Sequence, residues 1–457
     1  MFFKNDTIVS RVMPEIRCNI GIIRVSGPLA SRASIKILNK IPLSRYAYYS
    51  PFLDKNGMII DHGIALWFPN PNSFTGEDVL ELQGHGNPII INMLISNILS
   101  IPNIRLAKPG EFSERAFLNG KIDLIQAESI IDIINSTSEQ AIRAALKSLQ
   151  GSFSIHIKKI VKKIIKFRMI IETLINFSED DIGLDYEYDI EYTINKLILL
   201  LKNIYNISTK SNILREGIKV VICGYPNSGK SSLLNSLLCF DRAIVTNIPG
   251  TTRDIIYEDV HINGMLFHLV DTAGLRFTKN VIEKIGIKLA WKEINLADHI
   301  LFVVDGACDL YTQKKNYSNF IKILSENSNV TVIFNKLDLQ NFKVHIESFK
   351  NSNHIFVSTK TGEGIEKLRQ YLYDNFKMKN FCNNSEDVFL ARRRHIDALE
   401  KVLNYMKDSK KNWKINNNIE LLAEDMRVCQ NELNSITGSF TSDQLLSQIF
   451  SNFCIGK

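Results

Sequence analysis

The sequence predicts a multidomain protein of mixed α/β and α class: an α+β domain over residues 1–119, a helical domain in two parts (120–215 and 379–457), and between those parts an inserted domain, 216–378, built on a mostly parallel sheet. Three observations carry this reading. Five continuous apolar runs, Lys219–Ile222, Phe267–Val270, Ile300–Val304, Val330–Phe334 and Ile355–Val357, are separated by helix-length segments, as expected of strands covered on both faces. Helical spacing recurs on either side, in Ile157, Ile160, Val161, Ile164, Ile171, Leu174 and Ile175 before, and in Leu390, Ile396, Leu399, Val402, Leu403, Leu421, Leu422, Met426, Cys429 and Leu433 after. Such flanking stretches imply one helical domain interrupted by an insertion, because a domain's chain termini tend to lie close together. Ahead of residue 119, β-rich runs such as Ile20–Val25 and Gly63–Phe68 alternate with Pro, Gly and Asn punctuation and two helices, which gives the α+β domain.

The chain's 457 residues suit about three domains of roughly 150 residues. With 45% apolar and 23% charged residues it has the composition of an ordinary globular protein. The net charge of +7 favours an anionic partner, but the excess is mild and Ile, Lys and Asn are inflated throughout. Seven cysteines stand singly, with no C-x-x-C pair to suggest zinc or a disulfide framework, so a reducing compartment is expected. The first residues carry Lys4, Asp6 and Arg11 before any sustained apolar run, and no segment approaches the ~18 apolar residues of a membrane span. A cytoplasmic protein with no membrane association is expected.

Gly224-Tyr225-Pro226-Asn227-Ser228-Gly229-Lys230-Ser231 matches G-x-x-x-x-G-K-[ST], follows a predicted strand and opens a helix near Ser232. In such a loop, glycines let backbone N–H groups wrap a phosphate at a helix N-terminus, the lysine neutralises β- and γ-oxygens, and the serine ligates Mg²⁺. Asp271-Thr272-Ala273-Gly274 follows the next strong strand, where a carboxylate can hold the Mg²⁺ shell and Gly274 can sense a γ-phosphate. Asn335-Lys336-Leu337-Asp338 ends another strand, and an aspartate there accepts from the N1 and N2 donors that guanine has and adenine lacks. Ser358-Thr359-Lys360-Thr361-Gly362 resembles the fifth GTPase motif, with Thr359 where alanine is usual. Four such strings in order, each after a strand, point to a Ras-like P-loop domain hydrolysing GTP. Leu275 stands where Ras has the glutamine that orients the attacking water, so another group must position water and another positive charge must replace an arginine finger.

The stretch Thr246-Asn247-Ile248-Pro249-Gly250-Thr251-Thr252-Arg253-Asp254, with Asp271–Arg276 and Glu283-Lys284-Ile285-Gly286, resembles the MnmE (TrmE) tRNA-modification GTPases. The resemblance extends to Thr75-Gly76-Glu77-Asp78, Gly84-His85-Gly86-Asn87-Pro88, Pro109–Lys121 and the terminal Cys454-Ile455-Gly456-Lys457, nearly the whole chain. It implies that Asn227, Thr246, Ile248 and Thr251 coordinate a K⁺ that supplies the finger's charge, that Thr252 completes the Mg²⁺ shell with Ser231, and that Glu283 orients or activates water. Further nucleotide contacts are expected of Ser228, Gly229, Ser232, Asn247, Pro249, Gly250, Thr272 and Ala273.

The resemblance also implies an N-terminal domain that forms a homodimer and binds 5-formyl- or 5,10-methylene-tetrahydrofolate through Arg24, Glu81, Lys121 and Lys457. A carboxylate can accept from pterin N–H groups, and cations can pair with the cofactor's glutamate tail. The terminal tail would reach this site, with Cys454 as a candidate reactive thiol. Before Arg24 the chain departs from the family's Gly-rich approach, reading Arg17-Cys18-Asn19-Ile20-Gly21. An FAD-dependent partner, MnmG, is implied, in a heterotetramer or larger complex that installs a carboxymethylaminomethyl or aminomethyl group on the wobble uridine of certain tRNAs. Lys158, Lys159, Lys162, Lys163, Lys166 and Arg392-Arg393-Arg394 could meet tRNA phosphates, although solvated helix faces are the ordinary reading. Two rival readings are a ribosome-assembly GTPase switch, which leaves Arg24, Glu81 and Lys457 without a role, and a stand-alone folate-dependent aminomethyltransferase carrying a GTPase insert.

Overall fold

The computed structural model describes residues 6–12, 17–176, 190–239, 257–271, 291–307, 320, 329–339, 346–349, 352–381 and 389–438. The chain divides into two compact units, one of residues 1–134, 145–205 and 393–457, the other of 135–144 and 206–392.

In the first unit, β1 (Thr7–Arg11), β2 (Cys18–Ser26), β3 (Tyr48–Leu53), β4 (Ile59–Phe68), β5 (Val79–Gly86) and β6 (Ile104–Leu106) form a sheet in the order β3-β4-β5-β2-β1-β6. Only β1 and β6 run parallel; the other neighbours are antiparallel. Alternation puts Ile23, Val25, Ala65, Trp67, Leu80 and Leu82 on one face, where they pack with α1 (Ala30–Leu38) and α2 (Pro88–Leu99) into a single apolar core. The Asn87 side chain caps α2 by accepting from the Ile89 amide, and Pro88 sits at the first turn, where its missing N–H costs nothing. A third helix, α3 (Glu111–Leu118), adds to the two that the sequence predicts. Its eight residues are too few for periodicity to stand out, and an ionic clasp fixes it instead.

In that clasp Arg115, fully buried, donates to Asp6 Oδ1 at 3.0 Å, to Glu111 Oε1 at 3.1 Å and to both Glu77 oxygens at 3.1 Å. Arg105 reaches Asp6 at 2.7 Å and Glu111 at 2.5 and 2.8 Å. Burial works against an ionised Glu111, but the Arg105 guanidinium, the Lys108 amide and Arg115 together outweigh it and hold its carboxyl below the usual range.

The helical part begins with α4 (Leu124–Asn135), α5 (Glu139–Leu149), α6 (Ser152–Asn176) and α7 (Ile190–Glu216) and ends with α10 (Arg393–Asn416) and α11 (Ile419–Thr437). α11 packs on both α6 and α10. Phe153, Ile157, Ile160, Ile164, Phe167 and Ile171 are buried along one stripe of α6, at steps of four and three residues. The predicted stripe holds as far as Ile171; Val161 is half-buried because it falls off that face, and Leu174 and Ile175, in the last turn of the helix, are half-buried and exposed respectively.

The second unit contains β7 (Ile218–Gly224), α8 (Lys230–Cys239), β8 (Tyr257–Ile262), β9 (Met265–Asp271), β10 (His299–Asp305), β11 (Val330–Asn335), β12 (Ile346–Phe349), β13 (Ser352–Phe356) and α9 (Ile365–Phe381). The sheet order is β12-β13-β11-β10-β7-β9-β8. The five predicted runs are its five central strands, all mutually parallel, and β8 and β12 add antiparallel edges. From β7 the chain goes first to the β9 side and then to the β10 side, so the order switches at the carboxyl end of β7, where open α/β sheets bind ligands. No described helix is long and apolar enough to cross a membrane.

In the first unit Glu128 on α4 is 2% exposed, and its carboxylate meets Arg394 Nε at 2.8 Å and His395 Nε2 at 3.0 Å on α10. Burial opposes its ionisation, yet the charges and hydrogen bonds of His395 and Arg394 hold it well below the usual carboxylate range. The folded-state pKa is depressed, so the stabilisation is present at neutral pH and fades as pH falls below the unfolded value of about 4.3. Glu128→Gln should lower stability at pH 7 by about 3 kcal/mol, because it leaves buried cationic groups uncompensated. Urea unfolding followed at the helical signal checks this, and the gap from the parent protein should begin to narrow only below about pH 4.

Candidate nucleotide site

β7 is buried along most of its length and delivers the chain into the loop 224–231 at the switch point. Two glycines in that loop are required by space. A Cβ on Gly224 (φ +147°) would lie 2.3 Å from the Val303 carbonyl oxygen, and one on Gly229 (φ +93°) would lie 2.1 Å from Asn335 Nδ2. Asn227 adopts a positive φ of 63°, which turns the loop so that Ser228, Gly229 and Lys230 can enter α8.

Lys230 is 8% exposed and its ammonium donates to the Tyr225 carbonyl at 3.0 Å. Burial pushes its pKa down, and Asp271 pulls the other way. Ser231 Oγ donates to Asp271 Oδ2 at 2.8 Å, at the end of β9. Asp271 Oδ1 is buried with no hydrogen-bond partner among the described residues. A hydroxyl and a half-satisfied carboxylate side by side are the oxygen donors that a Mg²⁺ ion takes. Ser232, next on α8, is exposed.

Asn335, at the end of β11 and 1% exposed, joins three loops. Its Nδ2 donates to the Ser228 carbonyl at 3.0 Å, and its Oδ1 accepts from the Thr359 amide at 3.1 Å. Asp338 accepts from Ser358 Oγ at 2.8 Å through Oδ1, leaving Oδ2 toward Lys360 Nζ at 4.0 Å, whose side chain is largely exposed. Thr359 contributes its backbone here, so a threonine in place of alanine leaves the contact intact.

Sequence reasoning passed over Asp305. It closes β10 opposite Asn335, takes Lys336 Nζ on Oδ2 at 2.5 Å and the Ala307 amide on Oδ1 at 3.0 Å, while the Gly306 amide donates to the Asn335 carbonyl at 2.8 Å. Lys336 has φ +68°, so this ion pair braces a residue in the sparsely populated left-handed region. A carboxylate directly after an apolar strand was the available signal.

Thr246, Asn247, Ile248, Pro249, Gly250, Thr251, Thr252, Thr272, Ala273, Gly274 and Glu283 lie outside the described residues, as do Cys454 and Lys457. In the first unit, Arg24 and Glu81 face each other across β2 and β5 and pair at 2.7 Å. The Arg24 guanidinium lies over the rings of Phe74 and Phe112, 5.8 and 5.7 Å from their centroids. The Lys121 stem passes by Gly76, on the same turn as Phe74. Lys121 also lines a cavity of about 300 Å³ with Lys158, Asp123, Gln126 and Gly438. Arg394, one of three consecutive arginines, is held by Glu128 and by the Ser435 and Ile436 carbonyls.

Comparison with known proteins supplies the family. Residues 7–121 match the profile described as GTP-binding protein TrmE N-terminus, and residues 124–454 match the MnmE helical domain. A tRNA modification GTPase MnmE of Buchnera aphidicola subsp. Baizongia pistaciae is 61% identical over 456 residues, covering 99% of each chain. The proteins of that name from Pectobacterium carotovorum and from Buchnera aphidicola subsp. Schizaphis graminum are 47% and 48% identical, each covering 99% of this chain and 99% and 100% of their own. The chain belongs to the MnmE (TrmE) family of tRNA modification GTPases.

Proposed function

We propose that this protein hydrolyses GTP to drive modification of the wobble uridine of certain tRNAs, as the folate-binding subunit of an enzyme completed by an FAD-dependent MnmG-type partner. The observation that supports this most is the juxtaposition of the 224–231 loop, Asp271, Asn335 and Asp338 at the carboxyl end of one sheet, with Asp338 held by Ser358 and Asp271 Oδ1 unsatisfied among the described residues.

In this reading residues 216–378 carry out hydrolysis, 1–119 dimerise and bind folate, and 120–215 with 379–457 couple the two. Lys230 neutralises the β- and γ-phosphate oxygens, and backbone N–H groups of 227–231 cradle the β-phosphate at the start of α8. Ser231, Asp271 and Thr252 would hold Mg²⁺, whose charge offsets that developing on the phosphoryl oxygens. Asn227, Thr246, Ile248 and Thr251 would hold K⁺, which supplies the positive charge of an arginine finger. Glu283 orients or activates the attacking water in place of a glutamine. Asp338 accepts from guanine N1 and N2, with Lys336 braced by Asp305. In the first unit Arg24, Glu81 and Lys121, with Lys457, would hold the tetrahydrofolate that supplies a one-carbon unit, and Cys454 is the candidate thiol beside it.

The central test is mass-spectrometric analysis of tRNA nucleosides from cells lacking this protein, complemented by the parent gene or by Lys230→Ala. The modified wobble uridine should vanish, return with the parent and not with the variant. A change in ribosome assembly with intact tRNA would favour the assembly-switch rival, and product made without the FAD-dependent partner would favour the stand-alone transferase.

Asp338→Asn should weaken GTP and shift preference to xanthosine triphosphate, because an amide donates to the carbonyl that replaces guanine's amino group. Asp305→Asn should weaken both nucleotides about tenfold, roughly the worth of one charge-assisted contact, without reversing the preference. Competition binding with the two nucleotides separates these outcomes. Steady-state hydrolysis should run in KCl and fall at least about a hundredfold in NaCl of equal ionic strength, given the rate an arginine-finger charge contributes; equal rates in the two salts would remove the monovalent site from the scheme.

A further inference from the structure

Helix α6 carries a strongly one-sided charge. From Ser152 to Ile171 it contains Lys158, Lys159, Lys162, Lys163, Lys166 and Arg168 and no acidic residue. At 100° per residue, Lys158, Lys162, Lys166 and Lys159 fall within one arc of about 100°. The buried stripe from Phe153 to Ile171, which the helix turns inward, occupies the opposite side. All four lysines are exposed, and among the described residues only Lys158 has an ion-pair partner, Asp123 at 3.0 Å.

Several arginines on the helices are partnered within their own helix, and on α6 itself Arg168 pairs with Glu172 at 3.0 Å. Arg143 pairs with Glu139, Arg393 with Asp397 and Arg427 with Glu424, each one turn away on its own helix. On α6 three of the four one-turn neighbours of Lys162 are Lys158, Lys159 and Lys166, the fourth being Ile165, so like charges stack and repel over about 12 Å of helix. A polyanion laid along this face relieves that repulsion and releases its own counterions.

We propose that the Lys158-Lys159-Lys162-Lys166 face of α6 is a docking surface for the sugar-phosphate backbone of tRNA. This rests on the tRNA reading above and adds where the RNA is met. The surface suits phosphate rather than base readout, since it offers point charges on flexible stems and no aromatic ring for stacking. It suits RNA better than a lipid surface, because the apolar stripe that would enter a bilayer is already buried against α11, leaving the scattered Ile155, Ile165 and Met169 exposed among the lysines.

The test is a titration of the full chain with an unmodified tRNA transcript at several salt concentrations, comparing the parent protein with a triple variant, Lys159→Gln, Lys162→Gln and Lys166→Gln. Glutamine keeps helix propensity close to that of lysine, and none of the three residues belongs to the nucleotide or folate sites. The variant should bind at least about tenfold more weakly near physiological salt, and its slope of log affinity against log salt should shrink by about two to three, close to one per lost lysine. Arginine at the same three positions should restore both, while far-UV circular dichroism and tRNA-free GTP hydrolysis stay at parent values. If parent and variant bind equally with equal slopes, the surface assignment fails and the tRNA reading stands. No tRNA binding by the parent overturns both. Vesicles of phosphatidylserine and phosphatidylcholine serve as the competing polyanion: charge-dependent binding there, with tRNA affinity unchanged in the variant, assigns the face to membranes and overturns the proposal.

Discussion

The nucleotide site depends on one carboxamide. Asn335 ends β11 in a buried position where its two polar atoms face different loops, donating to the loop that follows β7 and accepting from the loop that follows β13. Its backbone carbonyl takes the Gly306 amide from the loop that follows β10. Aspartate would lack the donor, and glutamine would place both atoms one methylene too far out. The fit leaves no spare volume, since the space a Gly229 side chain would need is filled by Asn335 Nδ2. Glycine at 229 and asparagine at 335 are thus a single requirement expressed at two distant points of the chain. Buried polar groups are costly unless satisfied, so this arrangement holds the loops in one geometry before a nucleotide arrives.

The parts of the fold that could be read from the sequence are those whose signal is local. The five central strands of the parallel sheet announce themselves as unbroken apolar runs, because both faces are covered. α6 shows its buried stripe through a spacing of three and four. The edge strands β8 and β12 escaped because only one side of each is paired and their sequences, Tyr-Glu-Asp-Val-His-Ile and Ile-Glu-Ser-Phe, mix charges with apolar residues as exposed edges do. α3 escaped because the groups that hold it come from residues 6, 77 and 105, and no periodicity within eight residues encodes partners so far away.

The site divides in the same way. Lys230, Ser231, Asp271, Asn335 and Asp338 stood out in the sequence because their motifs set particular residue types at short spacing. Asp305 was not, since its partner Lys336 lies 31 residues on and meets it only when two parallel strands come into register. Arginines at 392–394 looked alike in sequence, yet Glu128 and two carbonyls take Arg394 for the helical core. A run of like residues says nothing of which member is spoken for by a group elsewhere in the chain.

The stretch from Pro109 to Lys121, which contributes much of the resemblance to the MnmE family, has a mainly architectural job. Glu111 and Arg115 are buried in the clasp with Asp6, Glu77 and Arg105, Phe112 lies fully buried under the Arg24 guanidinium, and Asn119 donates to the Thr75 carbonyl at 2.7 Å. Two of these contacts, Arg115 with Glu77 and Asn119 with Thr75, tie down the turn that carries Phe74 and Gly76, and that turn borders both Arg24 and the stem of Lys121. Of this motif's charged groups, Lys121 is thus the one left exposed beside Arg24's neighbourhood, at the end of a segment whose other charged groups are largely buried or half-buried. A motif of thirteen residues that places one ammonium is reasonable physically: a lysine on a flexible stem has little geometry of its own, and the buried guanidinium network behind it supplies the fixed platform that such a charge needs.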